Sequence, residues 1–494
     1  MCAFVIVSLI LTLPSLVLAA PGSGTAVIAP SGQVIAGSEG KWTITYTAAE
    51  AFSSGVVYLT IPAGWTMPQI SNGTSAGYVT VTSEGTLEAT PVVISGMAIQ
   101  VYIDTLSTGE TVDIVYGDDS VSSSGNASVQ TTTEDAVAFM VSSDPASGSP
   151  VDLAASPAVD VVAASITELV FTTPPRTFQS DGESGVMRVE ARDEFGNPSS
   201  VAGNQTIDLS SSSGGGSFSH LGGGSWSAVT SVTILSGEDT VSFYYRDTLA
   251  GTPDVTASAQ GQSWVDPVQS VTVQPGDAVS LVVSPEDTTI TAGEFARFLV
   301  KVVDANGNAS PLSAAQTVTL LPASGNFYDK DDHGTTVSSI TISSGSTSAE
   351  VDYSHSVMDI SSGYFIAFFD TDGVSPSLEA AATTIYVDHS SADAATTTIS
   401  LDKPTVTADG IDQVSVSVNV MDEYGNPVGG VAVVIDATDT GGGNDITQPV
   451  GVTGNDGIAS GSLRSTVAEI KTISATIDGS AVTDTEAVDY VAGP

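Results

Sequence analysis

Along the chain, apolar and polar residues alternate with a period of two in many short runs. The clearest case is repeated three times. Met187, Val189 and Ala191 alternate with Arg188, Glu190 and Arg192; Phe298, Val300 and Val302 hold the same places further on; Val416, Val418 and Val420 do so again, opposite Ser415, Ser417 and Asn419. In a strand successive side chains point to opposite faces, so each run predicts a strand lying on a core along one face only. A one-residue slip would turn every one of these apolar groups outward, so the register is strongly specified. Further runs follow each of these: Thr206–Leu209, Thr317–Leu321 and Val431–Ile435, then the alternating sets Val241, Phe243, Tyr245 and Ala349, Val351, Tyr353, and finally Ile473–Ile477. No window after the first twenty residues sustains a helical period. The pattern predicts an all-β protein of antiparallel β-sandwiches, with strands every eight to twelve residues or so.

The three anchor strands each run into the same turn: Asp193-Glu-Phe-Gly-Asn-Pro198, Asp304-Ala-Asn-Gly-Asn-Ala309 and Asp422-Glu-Tyr-Gly-Asn-Pro427, spaced by 111 and 118 residues. Asp can bond nearby backbone N–H groups, Gly supplies a positive φ, and Asn with Pro stops the strand from continuing. A repeat of that length marks tandem domains. The expected division is 160–276, 277–388 and 389–494, preceded by a sandwich of a different type at 25–145 that lacks the turn. In that first unit Trp42–Tyr46, Gly55–Ile61, Tyr78–Thr82 and Thr111–Tyr116 read as strands, and its tryptophans as core and corner packing. Ser143–Pro150 and the Ala/Val/Pro stretch behind it read as a linker. Val271-Thr-Val-Gln-Pro-Gly276 leads into the next unit with hardly a linker, which predicts a semi-rigid, elongated array. Tyr490–Pro494 has the look of another such junction, so a further unit is expected beyond it.

Charge narrows the function classes. Eleven Lys and Arg face 56 Asp and Glu, for a formal charge of −45. Such a field repels nucleic acid and anionic membranes and favours solubility. The lone cysteine, Cys2, leaves no internal disulfide, thiol nucleophile or Cys-ligated zinc. Residues 1–20 are mostly apolar, broken by Pro14, and end in Val17-Leu-Ala19 before Pro21-Gly-Ser-Gly24, which reads as a secretory signal peptide. It lacks a basic residue before the apolar run. No other segment is apolar enough to cross a membrane as a helix.

The Asp-x-x-Gly-Asn-Pro turn after an alternating strand, the later Gly457, Ala459 and Leu463 pattern and the Thr472-Ile-Ser-Ala-Thr-Ile477 strand together resemble bacterial immunoglobulin-like domains of the invasin/intimin type. The resemblance covers about 160–494, with the fourth unit closest. It implies tandem immunoglobulin-like β-sandwiches in a secreted or cell-surface protein, stacked as a stalk for adhesion or for envelope or fibre assembly. Implied partners are other surface proteins, like subunits or glycans.

Chemistry is thinly represented. His220, His333, His355 and His389 are scattered and read as solvated loop residues, with no nucleophile elbow near them. Carboxylates are too numerous for spacing to nominate a glycosidase pair. No catalytic or cofactor-binding residue is expected. Calcium is the one ligand with a physical basis: Asp304, Asn306 and Asn308 alternate like the opening of a calcium loop, although neither the Gly nor the closing Glu follows. Asn72, Asn126, Asn204 and Asn308 begin Asn-x-Ser/Thr sequons. The sequence reads as a non-enzymatic surface protein; the alternative is the accessory, carbohydrate-binding region of a larger secreted hydrolase.

Overall fold

A computed structural model describes residues 22–284 and 289–493. The expected leader, residues 1–20, lies outside the described residues. The predicted all-β class is what is found: among the described residues a single 3-10 turn, Ser123–Gly125, interrupts strands and loops, and the strands form tandem sandwiches. By its contacts the chain separates into two units. One holds residues up to Thr177, Glu183–Arg246 and Thr252–Thr272; the other holds Phe178–Gly182, Asp247–Gly251 and residues from Val273 onward.

The three anchor strands are Met187–Asp193, Phe295–Val303 and Gln413–Asn419. All of the residues predicted to face inward on them (Met187, Val189 and Ala191; Phe298, Val300 and Val302; Val416 and Val418, with Val420 just beyond) are fully buried. Each anchor strand is central in its sheet. It pairs antiparallel on one side with the strand that opens the domain (Ile166–Phe171, Ser280–Ser284, Thr398–Leu401) and on the other with the second alternating run (Thr240–Asp247, Ser348–Ser354, Ile458–Ser465). The facing sheets contain Gln205–Ser211 with Asp254–Ala259, Gln316–Pro322 with Asp359–Asp370, and Val433–Ala437 with Ile470–Ile477. In the third and fourth domains the opening strand switches sheets, and its second half (Thr289–Thr291, Thr405–Thr407) pairs parallel with the last strand (Ala381–Asp388, Glu486–Val491). This Greek-key sandwich is the immunoglobulin-like arrangement. Between the sheets of the third domain, Phe298, Phe327, Tyr353 and Phe368 form one cluster of rings, and the Tyr353 hydroxyl donates to Ser324 O at 2.8 Å. A buried tyrosine finds a partner for its one polar atom.

The first domain is a sandwich of its own type. Its core takes in Trp42 and Trp65, 3% and 5% exposed and edge to face at 4.8 Å, in agreement with the packing role expected of them. Two features depart from the sequence reading. The hairpin Thr86–Ser95 with Ala98–Leu106 completes one sheet. The stretch read as a linker contains strand: Ser143 and Asp144 close Met140–Asp144, and Ala158–Val162 pairs parallel with Gly32–Ile35. The reason is burial. Val159 and Val161 are 2% exposed and belong to the first core, which therefore extends past residue 145 to about Val162.

Candidate functional site: the Asp-x-x-Gly-Asn turns

Each turn closes on itself around its aspartate. Asp193, Asp304 and Asp422 are 0%, 2% and 0% exposed. One carboxylate oxygen, Oδ1, accepts the backbone N–H two and four residues on: Phe195 and Asn197 at 3.0 and 2.9 Å, Asn306 and Asn308 at 2.9 and 2.9 Å, Tyr424 and Asn426 at 2.9 and 2.8 Å. Oδ2 accepts the side-chain amide of the turn's own asparagine, at 2.9, 2.9 and 2.8 Å. Gly196, Gly307 and Gly425 sit at φ of +83°, +85° and +85°, a conformation glycine adopts without strain.

The same groups also reach outside the turn. Oδ2 accepts a backbone N–H from the segment that enters the domain: Ala164 at 2.9 Å, Gly276 at 2.7 Å and Ser390 at 2.9 Å. The asparagine side chain clasps a short piece of backbone, donating to one carbonyl and accepting the N–H two residues later. Asn197 holds Thr131 O and Thr133 N–H at 2.8 and 3.3 Å. Asn308 holds Thr248 O and Ala250 N–H at 2.8 and 2.9 Å. Asn426 holds Ser356 O and Met358 N–H at 2.7 and 2.8 Å. The amide of asparagine suits this because it carries a donor and an acceptor side by side.

The clasped segment is itself built alike each time. The residue before the clasped carbonyl is buried and polar: Gln130, Asp247 and His355. Its carbonyl accepts the N–H of a residue of positive φ: Gly37 at 3.1 Å, Asp181 at 3.2 Å and Gly293 at 2.9 Å. Over two of these lies the aromatic residue of the turn. A Cβ on Gly37 would stand 2.3 Å from the Phe195 ring, and one on Gly293 would stand 2.0 Å from the Tyr424 hydroxyl oxygen. Where the seat residue is Asp181, the turn carries Asn306 in place of a ring.

Electrostatics follow the hydrogen bonds. Burial alone would raise the three carboxyls, yet the donors more than offset it and each lies below its ordinary value. Asp304, which also accepts Ser180 Oγ at 2.7 Å, is brought down to about 2. Of the residues considered for calcium, Asp304 and Asn308 are thus held together by this network. Both Asp304 oxygens face N–H and O–H donors, which a cation would have to displace. Among the described residues no cluster of three or more His, Cys, Asp or Glu is placed to hold a metal ion.

His333 is exposed, as expected, although it lies on a strand, with Nε2 2.7 Å from Asp352 and its ring stacked on Phe295 at 3.8 Å. One histidine departs from the expected solvated state. His355 is 9% exposed, and burial pushes its pKa below the ordinary value. No helix of the described residues is long and apolar enough to cross a membrane.

Residues 396–491 match the family model of the bacterial Ig-like domain (group 1). No curated protein sequence matches the chain. Among solved structures, invasin, a bacterial integrin-binding protein, aligns at 15% identity and a TM-score of 0.32 over 67% of this chain and 60% of its own. FdeC, an Escherichia coli adhesin, aligns at 19% identity and a TM-score of 0.35 over 67% of this chain and 99% of its own. The surface-layer protein SbsC, domains 1–6, aligns at 12% identity and a TM-score of 0.23 over 95% of this chain and 55% of its own. The chain thus spans less than two thirds of the invasin and SbsC structures. These likenesses leave the Ig-like assignment resting on strand topology and on the family match.

Proposed function

We propose that this is a non-enzymatic, secreted or cell-surface protein whose Ig-like domains form a semi-rigid stalk serving attachment or envelope assembly. The observation that carries the reading is the clasp. Three turns, more than a hundred residues apart, each close on a buried aspartate and extend their asparagine side chain to backbone beyond the turn. An enzyme concentrates perturbed groups in one cleft; here they are distributed one per turn, as befits a part that is repeated. Export through the leader at 1–20 belongs to the same proposal, as do surface proteins, like subunits or glycans as partners. Protease treatment of intact producing cells tests it. Sandwich-sized fragments should be released without lysis; fragments that appear only after lysis would sink the surface assignment. For the stalk, small-angle scattering should give the wild-type chain a longer, narrower distance distribution than the double variant Asn197→Ala/Asn426→Ala. Identical distributions would remove stiffness from the proposal.

A further inference from the structure

The fourth domain carries the same seat that the first three present. Ser465, 1% exposed, stands where Gln130, Asp247 and His355 stand, and its carbonyl accepts the N–H of Gly410, at φ +74°, at 3.1 Å. The clasped carbonyl and N–H would then be those of Thr466 and Ala468. Both residues are exposed, and neither group has a hydrogen-bond partner among the described residues. The entering amide is also identifiable by register. Val162 O, Gln274 O and Asp388 O accept the N–H of Ala36, Ser180 and Ala292, and the amide used by the next aspartate lies two residues later in each case. Val491 O accepts Ala408 N–H in the same way, which puts the fourth amide at Gly493.

We infer that the Thr466–Ala468 segment, Gly410 and Gly493 form a docking seat for a further sandwich domain bearing an Asp-x-x-Gly-Asn turn. Building on the clasp reading, the seat also specifies its occupant. Seats with glycine at the positive-φ position receive Phe195 and Tyr424, whereas the turn whose seat residue is Asp181 carries Asn306 at that place instead of a ring. Gly410 therefore calls for an aromatic residue two places after the aspartate, as in Asp422-Glu-Tyr-Gly-Asn426. The turns already in this chain are engaged in their own clasps, so a second copy of the chain docking in trans would have to break one of its own.

Amide hydrogen exchange on an extended chain tests this. A second copy of residues 391–493 is joined directly after Gly493, and exchange at Ala468 is compared with that in the original chain. Protection of Ala468 by about tenfold or more is expected, from one added hydrogen bond in a water-excluding contact. That protection should vanish when Asn426→Ala is placed in the added copy alone, and should weaken with Tyr424→Asn there. Unchanged exchange at Ala468 in the extended chain would overturn the seat. Met358 is the control for the clasp itself. If Asn426→Ala in the original chain leaves Met358 exchange unaltered, the clasp reading fails as well; if Met358 responds and Ala468 does not, only the seat fails.

Discussion

At the scale of single residues, the turn asparagine has more consequences than its size suggests. Asn426, 6% exposed, satisfies Asp422 Oδ2, Ser356 O and Met358 N–H. Truncation removes these three bonds and leaves the part-buried Ser356 O and Met358 N–H without this partner, at a cost of about 1–3 kcal/mol for an unsatisfied group. Asn426→Ala should therefore lower the stability of the fourth domain by about 2 kcal/mol in a denaturant titration; a change under a few tenths would mean that water replaces the clasp. Gly293→Ala probes the other half of the contact, because the new methyl meets both a positive φ of +81° and the Tyr424 ring. A loss of about 1–2 kcal/mol is expected from the backbone and the overlap together. Pairing it with Tyr424→Ala should recover part of that loss, since the overlap goes and the backbone strain stays. These partnerships were hidden in the sequence for a physical reason. The turn was legible because Asp, Gly and Asn are chosen by its backbone shape. The groups it clasps are peptide carbonyls and amides, which any residue supplies, so Thr131, Thr248 and Ser356 carry no signal.

The buried carboxylates add a pH dependence of known sign. Asp304 has a lower pKa folded, about 2, than its ordinary 3.8, so the folded state favours the ionised form. Its contribution is complete above about pH 4 and disappears as pH falls from there through about 2, amounting to about 2 kcal/mol. Other carboxylates titrate over the same range, and their protonation relieves repulsion, so the comparison must be internal. In Asp304→Asn, third-domain stability should change less between pH 5 and pH 2 than in the wild type, by about that amount. Parallel curves would show that the donors around Asp304 do not favour its charge.

At the scale of elements, alternation was legible wherever one face is buried and the other wet. Phe298, Val300 and Val302 show this, all fully buried and bracketed by Arg297, Leu299 and Lys301 on the other face. It failed where that contrast is missing. Thr86–Ser95 borders its sheet and has mixed exposure along its length, with Pro91 inside it, so no period of two emerges. Ala158–Val162 hid inside a Ser-, Pro- and Ala-rich stretch because only Val159 and Val161 reach the core. The core elements set the largest single-site effect. Phe298→Ala empties the middle of the ring cluster formed with Phe327, Tyr353 and Phe368. Loss of the transferred area plus the cavity left behind should cost about 3–5 kcal/mol. Because the domain's facing sheets meet at that cluster, its cooperative unfolding transition should move to lower denaturant with the loss; a shift below about 1 kcal/mol would mean the cluster collapses to fill the space.

For the whole molecule, charge is the property no single domain explains. With 56 acidic against 11 basic residues, self-repulsion opposes every folded domain at low ionic strength, and salt should screen it. The observed ion pairs are mostly between partly exposed groups, such as Lys41 with Asp119 at 2.6 Å and Arg464 with Asp445 at 2.8 Å, so salt forfeits little by weakening them. Divalent cations then separate two effects that calcium alone would confuse. General screening acts alike for calcium and magnesium at equal concentration. A built calcium site does not, because magnesium demands a smaller octahedral shell and releases its waters reluctantly. In the turn that drew attention to calcium, Asp304 already accepts from Ser180, Gly276, Asn306 and Asn308. A bound ion would have to break those bonds and the clasp that depends on them. Melting midpoints should therefore rise with sodium chloride and rise equally in calcium and magnesium, with chelator having no effect once ionic strength is matched. An excess for calcium that disappears in Asp304→Asn would place an ion in this turn and displace the hydrogen-bonded account of it.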